Sequence, residues 1–150
     1  MKNVSITEGG TELLDRVGPL WNELRDHHAQ LAPRWAATLA RSFEQRRIEL
    51  VNKGSGGILV VLAEQDGRDI GYGVSTIVSD GSGEIDSVYV AADWRGSGVG
   101  AAIMQKTMEW FASKSVRAIT VDVIEGNEAA KKFYEGFGFG LRTMRMRRLD

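Results

Sequence analysis

The amino-acid sequence predicts an α+β fold in which helices cover a mixed sheet, with elements in the order β-α-α-β-β-β-α-β-α-β. Three observations predict it. The apolar period runs at three and four through the first third of the chain and then shifts to β-branched runs between Ile58 and Val90, so helices precede strands. Turn signals, "DGRD" at Asp66–Asp69 and "SDGSG" at Ser79–Gly83, divide those runs into an antiparallel meander. Beyond it helical and extended segments alternate, which requires crossovers and therefore parallel pairing beside the hairpins.

Each element has a local reason. Val4–Thr7 makes a short strand. Thr11 with Leu13, Leu14, Val17, Leu20, Trp21 and Leu24 reads as a helix carrying Pro19 early or at a break. Pro33 opens a second helix, in which Trp35, Leu39, Phe43, Arg46 and Leu50 present apolar rings or aliphatic stems at helical spacing until Asn52, Gly54, Gly56 and Gly57 end it. Ile58–Ala63, Ile70–Val78 and Glu84–Val90 are the meander strands. Val99, Ile103, Met104, Met108, Trp110 and Phe111 form the broad stripe of a helix packed on a sheet. Val116–Ile124 is a strand, Asn127–Phe137 a short helix and Phe139–Arg147 a last strand. On that strand Arg142, Arg145, Arg147 and Arg148 alternate with Met144, Met146 and Leu149, either as a solvent face or as a surface for an anionic ligand or partner.

Length and composition set the class. A chain of 150 residues, 43% hydrophobic and 26% charged, is expected to form one domain over residues 1–150 with a core of its own. No apolar run is long enough to span a bilayer and no secretory leader is evident, so a cytoplasmic protein without membrane contact is expected. A net charge of −1 supplies no field for nucleic acid. The lack of cysteine excludes disulfides, thiolate metal sites and a cysteine acyl-enzyme. No metal is expected: His27 and His28 are adjacent on a helix, point about 100° apart and have no acidic ligand cluster.

The stretch "DWRGSGVGAA", Asp93–Ala102, places three glycines and an arginine ahead of an apolar helix. Unpaired N–H groups at a helix start carry the positive end of the dipole, and glycines let a phosphate approach them. Gly96, Gly98 and Ala101 match the dinucleotide pattern G-x-G-x-x-G/A, with Asp122 downstream. That fold needs its first glycine directly after a strand and further parallel strands beyond, and here Ala91–Arg95 intervene and little chain remains. A nicotinamide oxidoreductase is therefore the weaker reading.

The loop resembles another pattern. Arg95, Gly98 and Gly100 fit Q/R-x-x-G-x-G/A, the acyl-CoA signature of the GCN5-related N-acetyltransferase (GNAT) superfamily. "EGNEAAKKFYEGFGF", Glu125–Phe139, is similar to its N-x-x-A-x-x-F-Y-x-x-x-G-F segment, with Asn127, Ala130, Phe133, Tyr134, Gly138 and Phe139 on pattern. "EIDSVYV", Glu84–Val90, resembles its fourth strand. The resemblance implies a three-layer fold with a central sheet of six to seven strands and four helices. It also implies acetyl-CoA as acyl donor, without metal, and direct attack by an amine in a ternary complex.

The resemblance also implies a role for each matching residue. The N–H groups of Arg95, Gly96, Ser97, Gly98, Val99 and Gly100, with Ala101 at the helix start, would hold the CoA pyrophosphate, and Arg95 would add charge. Val88, Tyr89 and Val90 would pair with the pantetheine arm, the Val90 N–H polarising the thioester carbonyl. Asn127 would bond the arm, cap its helix, or do both. Ala130 and Phe133 would lie on the cofactor side. Tyr134 would protonate the departing thiolate, with packing beside Phe133 and Phe137 as the alternative. Glu84, eleven residues before Arg95, would take up the amine's proton, directly or through water. Asp86 shares its face and would contact the acceptor, with His28 and Trp35 on the opposite wall. Such a cleft implies a small cationic amine or a peptide or protein amine as acceptor. A homodimer is in keeping with the resemblance, and a non-catalytic acyl-CoA-binding regulatory module is the alternative function.

Overall fold

The computed structural model describes residues 3–149. Strand β1 (Val4–Gly9) pairs antiparallel with β2 (Gly57–Gln65), β2 with β3 (Arg68–Ile77), and β3 with β4 (Gly83–Val90). Strand β5 (Ile119–Val121) lies parallel to β4, giving a five-stranded sheet in the order β1-β2-β3-β4-β5. The β2–β3 hairpin turns on Asp66 (φ 50°) and Gly67 (φ 79°), the two left-handed residues a tight hairpin needs.

Three expectations change. The last strand, Phe139–Arg147, joins no ladder among the described residues, so the sheet has five strands and not six or seven. Its natural neighbour β5 offers only three residues to pair with, and Leu141, Met144 and Met146 are exposed rather than folded against a face. The first helix, α1 (Leu14–Leu31), follows a 3₁₀ turn at Thr11–Leu13 and runs through Pro19, which forgoes one backbone bond near the helix start. The second expected helix is divided into a 3₁₀ turn (Pro33–Trp35), α2 (Ala36–Leu39) and α3 (Phe43–Lys53). A capping box causes the break. The Ser42 hydroxyl accepts from the Gln45 N–H at 3.2 Å while the Gln45 side chain accepts from the Ser42 N–H at 3.1 Å, restarting the helix. With α4 (Val99–Ser113) and α5 (Glu128–Glu135) there are five α-helices among the described residues rather than four.

The sheet is covered on both faces, giving three layers. Leu14, Val17, Leu20, Trp21 and Leu24 of α1, with Leu50 of α3, pack on Val60, Leu62, Tyr72, Val74 and Tyr89. On the other side Val99 and Ile103 of α4 pack on Leu59, Val61 and Ala63, so alternate residues of β2 serve the two cores. Gly73 lets α4 lie close to β3, because a Cβ there would sit 2.6 Å from Ile103 Cγ2. No helix of the described residues is long and apolar enough to cross a membrane.

Two irregularities shape β4. Val74 pairs with Ser87 but Ser75 pairs with Ile85, so Asp86 is an extra residue in a β-bulge. Pairing with β5 covers only Gly83, Glu84 and Ile85, whereas pairing with β3 continues to Val90, so the two strands part after Ile85.

Candidate active site

The parting of β4 from β5 leaves backbone groups without a strand partner. The Ala91 N–H donates to Ile70 O at 2.8 Å, and antiparallel pairs alternate, so Val88 and Val90 turn their N–H and C=O groups away from β3 into the gap. Their side chains face α4, while the bulge turns both Asp86 and Ser87 toward α1 and α3.

The glycine loop lies at the end of this edge. Gly96 (φ 77°) and Gly98 (φ 93°) take the left-handed conformation, and Gly98 precedes α4 without any side-chain cap. Ala102 is the first residue bonded back, to Gly98 O at 3.0 Å, so the N–H groups of Gly98, Val99, Gly100 and Ala101 have no helical partner. A Cβ on Gly100 would stand 3.1 Å from the Phe133 ring and 3.6 Å from Val90 Cγ2, so the glycine draws the α4 start against both α5 and β4. Nothing lies within 4 Å of a Cβ built at Gly96, which leaves the loop's outer side open to an anion.

Two loop side chains take directions that the motif does not predict. The Ser97 hydroxyl turns back to Trp94 O. Arg95 donates through Nε to Val90 O at 3.1 Å and through Nη2 to the Tyr89 hydroxyl at 3.3 Å, stacking on the Tyr89 ring. Its charge thus sits at the end of the β4 edge and toward α1, not over the helix start.

On α5, Asn127 caps the helix, its Oδ1 accepting from the Ala130 N–H at 3.1 Å, which leaves the Nδ2 amide available. Tyr134 is 7% exposed and packs edge-on against Phe133 and Phe139, with ring centroids 5.3 and 6.0 Å apart. Its hydroxyl has no hydrogen-bond partner among the described residues, and burial pushes its pKa up to about 12, so it keeps its proton at neutral pH. Trp35 does not line a free wall: its Nε1 donates to Glu125 Oε2 at 3.2 Å, tying the turn after α1 to the loop before α5. His28 lines a cavity between α1 and the bulge of β4, and burial, then the charge of His27, hold its pKa below the ordinary value.

The expected acidic pair requires a correction. Glu84 and Asp86 do face one side, but Lys53 of α3 reaches between them and donates to Glu84 Oε2 and Asp86 Oδ1. The Asp86 side chain is fully buried, also accepts from the Thr76 hydroxyl at 2.8 Å and lies 3.6 Å from Arg46 Nη2. Burial alone would lower the Lys53 pKa, but the hydrogen bonds to Asp86 and Glu84 outweigh it and raise the pKa above its ordinary value. The two carboxylates are therefore answered from within the protein and are no open anionic surface for a cationic acceptor. Lys53 is missing from the sequence expectations and Arg46 entered them only as an aliphatic stem, although Arg46, Leu50 and Lys53 share one helix face with Leu50 buried, a spacing that aims both cations at the sheet.

The chain belongs to the acetyltransferase (GNAT) family, whose model matches residues 21–139. An uncharacterized N-acetyltransferase of Mycobacterium tuberculosis is 30% identical over 90 residues, 58% of this chain and 58% of that protein, so the chain matches little more than half of that relative's length. Among solved structures, a GCN5-related N-acetyltransferase from Ralstonia eutropha superposes with a TM-score of 0.77 at 18% identity, covering 97% of each chain. An aminoglycoside N-acetyltransferase in complex with CoA has a TM-score of 0.68 at 18% identity, covering 97% of this chain and 94% of that one. At these identities the structures are alike in fold.

Proposed function

We propose that the chain is an acetyl-CoA-dependent N-acetyltransferase that moves the acetyl group to a primary amine by direct attack in a ternary complex. The observation that carries the reading is the adjacency of the open β4 edge to the unpaired start of α4. The CoA complex of a protein of like fold supports it.

The residues present suit the donor. The N–H groups of Gly98, Val99, Gly100 and Ala101 hold the pyrophosphate at the positive end of α4. Val88 and Val90 bond the pantetheine amides as a neighbouring strand would, and the Asn127 amide steadies the arm. The Val90 N–H donates to the thioester oxygen, where negative charge develops as the amine attacks. Tyr134 donates its proton to the departing thiolate; neutral at pH 7 and without a competing partner, its hydroxyl suits that step. The attacking amine must lose a proton, and Glu84, with one oxygen held by Lys53, takes it up through water. Arg95 anchors the end of the β4 edge through Val90 O.

The acceptor is a small amine or a peptide amine, since Lys53 removes the electrostatic case for a small cation that the carboxylates alone presented. We read residues 1–150 as one acetyltransferase domain working in the cytoplasm, and a homodimer remains in keeping with the family.

Release of free CoA thiol from acetyl-CoA, read with a thiol reagent across amino acids, peptides, polyamines and aminoglycosides, tests the reading. A chain without cysteine gives no background. Turnover with one acceptor class is expected. CoA binding with no turnover across the panel would instead support a non-catalytic acyl-CoA-binding module.

A further inference from the structure

A cavity of about 100 Å³ opens between α1, the turn joining α2 to α3, and the bulge of β4, with Ser87 on its floor next to the Val88 edge. Trp21, Leu24 and Leu39 form its apolar wall. Its charged lining is Arg25, Arg41, Arg46 and Asp86, three guanidinium groups to one carboxylate. That carboxylate is answered by Lys53 and Thr76.

The other carboxylates that touch Arg25 and Arg41 do not satisfy them. Arg41 meets Glu49, whose side chain is 46% exposed, and Arg25 meets Asp26, 67% exposed, so both contacts lie largely in water and are worth little, whereas Arg46, 15% exposed, is held between Glu49 and Asp86. Arg25 Nη1 donates to Arg41 O at 2.9 Å, which holds the two arginines together, while Arg25 Cζ stacks 5.6 Å from the Trp21 ring. Among the described residues Arg25 Nη2 and Arg41 Nε and Nη2 have no acceptor. A guanidinium fork with free N–H groups matches a carboxylate in two parallel bonds.

We infer that the acceptor is a small amine carrying a carboxylate, which Arg25 and Arg41 hold, with the Arg46 charge behind them, while the amine faces the open end of β4. The inference rests on the acetyltransferase reading and narrows its acceptor to amino-acid-like molecules, away from polyamines and aminoglycosides, whose cationic groups three arginines would repel.

Two readouts test it. Isothermal titration in the presence of CoA compares N-acetylated glycine, leucine and phenylalanine with the amides of the same three compounds, which differ only in the anionic group. At least one acid is expected to bind about tenfold or more tightly than its amide, the size of one charged hydrogen-bonded contact. Arg41→Gln, at an exposed position, should erase that preference and leave the amide unchanged. Thiol release should likewise favour the free amino acid over its amide in kcat/KM. If every acid binds no more tightly than its amide, including no binding of either, the inference is overturned. If the acids are preferred and yet no amine releases thiol, the acetyltransferase reading fails while the anion site stands.

Discussion

Asp86→Asn perturbs the ionic centre that joins α3 to the bulge of β4. The carboxylate is fully buried, accepts from Lys53 and Thr76 and lies 3.6 Å from Arg46. Removing one partner of a buried ion pair costs about 3–5 kcal/mol when the other charge is left alone. Here Lys53 keeps Glu84, its side chain is 27% exposed, and an asparagine oxygen can still accept from Thr76. The cost therefore falls to about 2 kcal/mol, near that of one charged hydrogen bond. For a chain of this size that lowers Tm by about 4–8 °C. Urea unfolding followed by tryptophan fluorescence, with calorimetry for Tm, measures it. Lys53→Met alone should destabilise the protein as well, and the double variant should cost less than the sum of the two by more than about 0.5 kcal/mol. Because the Lys53 pKa is raised in the folded state, its contribution is intact below the ordinary value of 10.5 and is lost only as pH rises through the higher folded value. An Asp86→Asn protein within about 0.5 kcal/mol of the parent, or strict additivity with Lys53→Met, would refute the account.

Three further outcomes are expected. Tyr134→Phe should lower kcat by about a hundredfold while acetyl-CoA affinity holds, and an unchanged kcat would return Tyr134 to packing alone. Gly98→Glu should abolish CoA binding in titration calorimetry, whereas Gly81→Ala, at an open turn of similar φ (88°), should cost about 1 kcal/mol of stability and bind CoA normally; equal CoA affinity in the two would remove the loop from the site. His28 binds a proton less readily folded than unfolded, so stability is complete above about pH 6.5 and declines as pH falls through that value. His28→Gln should flatten that decline in denaturation series between pH 7 and 5, and an identical slope in both proteins would sink the assignment.

Short-range chemistry was legible in the sequence. The Asp66–Gly67 turn, the glycines before α4, the Asn127 cap and the alternating apolar residues of β2 each depend on a residue and its near neighbours, and each stands where the pattern placed it. The family motifs are of the same kind, since a phosphate-binding turn needs glycine at fixed spacing wherever it occurs. Local patterning misled where a partner was needed: Phe139–Arg147 alternates as a strand does, but a strand exists only with an edge to bond, and β5 offers three residues. The division of the second helix was readable in Ser42 and Gln45, a signal outweighed by the apolar spacing across them.

What only the tertiary structure decided lies in the register of β4. The extra residue at Asp86 sends Asp86 and Ser87 to one face and Val88 and Val90 to the other, and the parting after Ile85 creates the open edge. Lys53 settles between Glu84 and Asp86 from 31 and 33 positions away, converting an anionic pair into a satisfied ionic centre beneath an arginine-lined cavity. Residue types and spacings determined the family and the glycine loop ahead of α4, because those are local demands of backbone geometry. The charge of the arginine-lined cavity depends on which side chains meet across the sheet, and that is set by strand register and helix packing together.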